Sequence, residues 1–223
     1  RAATWDPALE HDVMQAMGAE ASAVGKDTLL APTLNLVAHP AWGRSQESYG
    51  EEPLLLGAMA AAGVRGAQRH VLATPKHYAL NHIETTRYTV DMVADDVVLH
   101  ELYLPHFRRA VRDGGAAWVM AAYNRVNGPH ATENPDLLRH ILKDSWGFQG
   151  AIMSDWIHGL DDGAVAVAAG LDLEMPVPDA MRNVPQALAD GTLDAAWLDD
   201  AARRHLRLAL LRETLTRADP SVV

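Results

Sequence analysis

The chain has 223 residues, 48% hydrophobic and 22% charged, with a formal net charge of −10 and no cysteine. That balance fits a soluble globular protein with enough residues for a buried core. It argues against a polyanionic partner such as nucleic acid, and the missing cysteines exclude a disulfide framework or a thiolate zinc site. No apolar run reaches the ~18 residues that span a bilayer, and the opening "RAATWDPALEHD" lacks the apolar stretch of a signal peptide. The compartment is left open.

In chain order, the first apolar run, "LLAPTLNLV" (29–37), reads as a strand. An amphipathic helix over 53–65 follows, starting at Pro53, running through Leu54, Leu55, Ala58 and Met59, and stopping at Gly66. "VLATPKHYAL" (71–80) is the second strand. The next helix, 96–113, starts after Asp95, buries Val98, Leu99, Leu102 and Tyr103, and ends at Gly114-Gly115, with Pro105 interrupting it. "AWVMAAYN" (117–124) is a third strand. A helix over 135–146 is opened by Asn134-Pro135 and closed by Gly147. "GAIMSDW" (150–156) and "GLDLEMP" (170–176) are the last strands, and an Ala-, Leu- and Arg-rich helix occupies about 194–214.

Near-continuous apolar strands alternating with helices imply a parallel sheet covered on both faces, either doubly wound or closed as a barrel. The polar residues decide between the two. Lys76-His77, Tyr123-Asn124, Asp155-Trp156 and Glu174-Met175 all fall at the carboxyl ends of their runs. In a (β/α)8 barrel those ends meet at one mouth, where catalytic groups sit. Five strands are fewer than eight, so the expectation is a TIM-like barrel lacking its first strand or strands, with residues 1–223 forming one partial domain.

Five motifs in one order, "HPAWGRSQESYGEEP" (39–53), "KHYALNHIETTR" (76–87), "VMAAYNRVNG" (119–128), "WGFQGAIMSDW" (146–156) and "AGLDLEMP" (169–176), resemble glycoside hydrolase family 3. The resemblance is to the barrel domain of its β-glucosidase branch and covers nearly the whole chain. It implies hydrolysis of β-linked glycosides or oligosaccharides by double displacement, with Asp155 as the nucleophile that attacks the anomeric carbon. Lys76, His77, Arg87 and Arg44 then match residues that hold hydroxyls of the cleaved sugar, and Trp156 an aromatic beside it. Tyr123 and Met120 match pocket-lining residues, with the Tyr123 hydroxyl placed near Asp155 to orient it. From the residues alone, Met120 fits the core equally well. Arg87 with Glu84 and Arg44 with Glu47 can form structural ion pairs while keeping donors free for a sugar.

Glu47, Glu52 and Glu174 are read as structural carboxylates, engaged in ion pairs and turns. The spacing of His77 and His82 does not place two imidazoles on one helical face, so neither a metal nor another cofactor is expected. The chain departs from the family pattern at Val37-Ala38-His39, where the branch carries an arginine. It also departs from the "KHFPGHG" of the N-acetylglucosaminidase branch. No carboxylic acid matches the family's acid/base, which a second, C-terminal α/β domain usually supplies. The expectation is that this acid comes from such a domain or from a partner chain. The alternatives are a barrel that binds a sugar without cleaving it, or specificity for β-xylosides.

Overall fold

The computed structural model describes residues 1–215. Two long helices open the fold. Helix α1 (Pro7–Ala23) is capped by the Asp6 carboxylate, which accepts from the Ala8 and Leu9 amides at 2.9 and 3.1 Å. Proline in the first turn gives up an amide that would have no helical partner. Helix α2 (Pro53–Ala67) begins in the same way, with Glu52 accepting from Leu54 and Leu55. The two helices lie backbone to backbone. A methyl on Gly66 would come within 2.1 Å of the His11 carbonyl oxygen, and one on Gly18 within 2.8 Å of the Ala67 oxygen. Gly66 is therefore not the expected stop: it lies inside α2 because only hydrogen fits where the helices meet. Helix α1 itself escapes a periodicity reading, since its inward face is Glu10, Met14, Gly18 and Ser22.

The strands are β1 (Thr28–Leu29), β2 (Leu72–Ala73), β3 (Asp91–Met92), β4 (Trp118–Met120), β5 (Arg125–Val126) and β6 (Ala151–Met153). β1 pairs with β2 and β4 with β6, both parallel; β3 and β5 form a separate lateral parallel pair. Single parallel bridges extend the main ladder: Thr33 to Lys76, Tyr78 to Ala121, and Met153 to Leu173. The five expected strand runs thus stand side by side in chain order, all parallel, as in an α/β fold. Regular pairing covers only two or three residues of each, far less than the seven to ten read from the sequence. Pro32 and Pro75 lack the amides needed to continue a ladder. Eight-strand closure does not follow from these pairings.

Both faces of the sheet are covered. Val119 and Ile152 face a large core with Leu56, Met59, Phe107 and Leu138, while Trp118, Met120, Ala151 and Met153 form a second cluster with Leu72 and Leu208. This burial on both sides is why the runs read as continuously apolar. The expected 96–113 helix is broken into Asp96–Val98, a wider π-type stretch Leu99–Tyr103, and Pro105–Arg112. Of its expected buried residues only Leu99 is buried; Val98 and Leu102 are exposed. The Asn134 side chain caps the π-helical segment Asp136–Ser145 through the Asp136 and Leu137 amides. The last helix spans Ala195–Thr214. Among the described residues no helix is long and apolar enough to cross a membrane.

Candidate active site

Asp155 leaves the end of β6 and is 7% exposed. Its Oδ1 accepts the Trp156 amide at 2.7 Å, whereas Oδ2 has no hydrogen-bond donor. Burial pushes the carboxyl above the ordinary aspartate range. The Trp156 amide, the Tyr123 hydroxyl and the cations Arg44 and Lys76 pull it back down. A buried carboxylate oxygen without a donor is costly, so this atom marks a place where the protein leaves a bond to something else.

His77 stands against it. Its Nδ1 lies 2.9 Å from Asn35 Oδ1 and its Nε2 3.0 Å from Arg44 Nη1, with Asp155 Oδ2 at 3.5 Å. Asn35 Oδ1 also accepts the His77 amide, and its Nδ2 donates to the His77 carbonyl. Amide oxygen and guanidinium fix the tautomer: Nδ1 carries the proton and Nε2 accepts from Arg44. Burial, reinforced by Arg44, Lys76 and Arg87, holds His77 well below the ordinary imidazole range. The ring is neutral, and its 3.5 Å approach to Asp155 is a contact between two acceptors, not an ion pair.

Lys76, the preceding residue, has its pKa lowered by burial and by Arg44, against the opposing pull of Asp155 and Glu47. Among the described residues its ammonium meets no carboxylate within ion-pair distance, so all three donors remain unassigned. Arg44 is forked onto Glu47 at 2.9 and 2.8 Å, which holds Glu47 below the ordinary carboxylate range. Arg87 pairs with Glu84 at 2.9 Å and stacks over the rings of Tyr88 and Tyr123. Glu84 also accepts the Trp42 indole N–H at 3.0 Å. Glu174 is spent on three backbone amides, those of Asp179, Ala180 and Met181.

Met120 and Tyr123 are both buried. Met120 is 1% exposed and packs in the sheet's second cluster, the core placement that the sequence held open beside a pocket-lining one. The Tyr123 hydroxyl donates to the Trp156 carbonyl at 2.8 Å, fixing the chain that carries Asp155. The same hydroxyl is also close enough to the Asp155 carboxylate to lower its pKa. Trp156 is 36% exposed at the rim. The sequence reading named Glu84 as the partner of Arg87 but missed Asn35 and Trp42 as supports. The only signal for Asn35 was a lone amide inside the apolar run "LNLV".

The family profile described as "Glycosyl hydrolase family 3 N terminal domain" matches residues 2–208. The chain belongs to this family. It is 43% identical over 211 residues to "Beta-glucosidase B" of Emericella nidulans, covering 93% of this chain and 25% of that protein. A "Beta-glucosidase" of Rhizobium radiobacter is 42% identical, with 92% and 25% covered. In three dimensions the chain matches β-glucosidase 3B of Thermotoga neapolitana in complex with glucose, at a TM-score of 0.91 and 37% identity, over 94% of this chain and 31% of that one. DesR, a β-glucosidase of Streptomyces venezuelae in complex with D-glucose, matches at 0.88 and 30%, over 99% and 31%. The chain thus spans about a quarter of the curated relatives it matches.

Proposed function

We propose that these residues are the nucleophile-bearing part of a retaining β-glycosidase that removes terminal, non-reducing β-D-glucosyl units. The carrying observation is Asp155: a carboxylate at a parallel strand's end with its second oxygen unassigned, beside the unpaired ammonium of Lys76. In this reading the free oxygen attacks the anomeric carbon, forming a glycosyl ester as the leaving oxygen takes a proton. Water then attacks the anomeric carbon from the face the leaving group vacated, releasing the carboxylate, and this second inversion restores the anomeric configuration. Lys76, Arg87 and Arg44 donate to the sugar hydroxyls, His77 is held neutral as a further contact, and Trp156 flanks the ring.

The five parallel segments belong, on this reading, to a (β/α)8 barrel of which residues 1–223 are one domain. The proton donor lies outside these residues, in a second domain or a partner chain. What supports this is that Glu47, Glu84 and Glu174 are each already engaged. Treating the complete protein with a 2-deoxy-2-fluoro β-glucoside tests the proposal. Peptide mass spectrometry should find the label on Asp155, and proton NMR should show the β-anomer released first from an ordinary substrate. A label on another carboxylate, or an α-anomer first, overturns it.

A further inference from the structure

Next to this site lies a cleft of about 640 Å³, bounded by Tyr88, His130, Ile157, His158, Leu160 and Asp161. Its size is that of a small-molecule site. Its wall is continuous with the carboxylate's support. Tyr88 packs edge-on against Tyr123 at 4.8 Å and His158 at 5.6 Å, and Tyr123 is bonded to the Trp156 carbonyl. Asp161 is taken up by Arg125 at 3.3 Å and His130 at 3.2 Å, so its charge is not free for a ligand. Asp179, a second carboxylate on the wall, pairs with Arg182 at 3.6 Å, and among the described residues neither lysine nor arginine itself lines the cleft.

Ile157, two residues after Asp155, is its most unusual member. It has φ of 65°, a left-handed conformation that β-branched residues avoid, yet its side chain is 61% exposed. The Ile157 amide donates to the Met175 carbonyl at 3.0 Å, and the His158 amide to the Trp156 carbonyl at 2.8 Å, which hold the turn. Strain of this kind collects where a side chain must be presented. An exposed apolar side chain at a strained position gains nothing for the core.

We propose that this cleft receives the leaving group and that Ile157 sets its preference for a flat aromatic aglycone over an alkyl one; the proposal rests on the glycosidase reading above. An aryl ring meets the edges of Tyr88 and His158 on one side and the Ile157 side chain on the other.

The test uses the complete protein with Ile157→Gly and Ile157→Asn, both suited to the left-handed backbone. kcat/KM for phenyl β-glucoside should fall about tenfold, and for methyl β-glucoside less than about twofold. The inhibition constant of glucose should stay put, and neither variant should melt below the parent. Equal losses on both glycosides, or no change in their ratio, overturn the proposal while leaving the parent a glycosidase. A parent that turns over neither glycoside overturns the glycosidase reading and this one with it.

Discussion

Asp155 and Asp172 invite direct comparison. Both are buried aspartates of neighbouring parallel segments, 7% and 8% exposed, and burial raises the pKa of each. Asp172 is closed on both oxygens: Oδ1 accepts from Lys143 at 2.7 Å and Oδ2 from the Ile152 amide at 2.8 Å. Lys143 also reaches Asp200, which is held by Arg204. Asp155 has one oxygen bonded to its neighbour's amide and the other to nothing. Residue type, burial and direction of pKa shift are the same; only the assignment of the second oxygen differs. Burial and perturbed titration alone do not separate a chemical carboxylate from a structural one. In the proposed reading, the unassigned oxygen of Asp155 does.

The largest contrast should come from neutralising each carboxylate. Asp155→Asn should lower aryl β-glucoside turnover by the complete protein at least about 10⁴-fold, with stability changed by less than about 1 kcal/mol. Asp172→Asn should leave a buried lysine short of a partner and cost about 3 kcal/mol of unfolding free energy. Urea denaturation alongside kinetics checks both, and the comparison breaks if the two phenotypes are exchanged.

Acidity sharpens it next. As the proposed nucleophile Asp155 would react as an anion, and its pKa is raised, so kcat/KM should be full above that pKa and fall as the pH drops through it. Lys76→Met removes a cation that opposes the shift, so the acid limb should move to higher pH. A limb that does not move would mean that another group titrates.

The smallest effect concerns the support. Tyr123→Phe removes the bond to the Trp156 carbonyl and should cost about 1 kcal/mol of stability, with kcat/KM down roughly fivefold. A loss of stability without any kinetic change would show that the strand end is held by other means.

The grouping of Lys76, His77, Tyr123 and Asp155 was legible because each closes an apolar run, and parallel order brings such ends together. Their supports were not. Asn35 matters only through the His77 backbone and ring, contacts between residues 42 apart in sequence. Likewise, Met120 and Val119 look equally apolar, and only the two-sided sheet says which cluster each enters. Helix α1 was invisible to periodicity because close approach to α2 selects small residues. Its buried Glu10 is met by Arg1 and the Tyr49 hydroxyl, partners that folding alone assembles.

The pairing of the parallel segments carries a consequence for biosynthesis. β2 pairs back onto β1, Ala121 onto Tyr78, β6 onto β4, and Leu173 onto Met153. Each segment therefore docks on the one translated before it. Parallel pairing is slow when a strand must wait for a distant partner, but here the template has already left the ribosome when its complement emerges. The described segments can be laid down one at a time, with a single growing edge, from β1 onward.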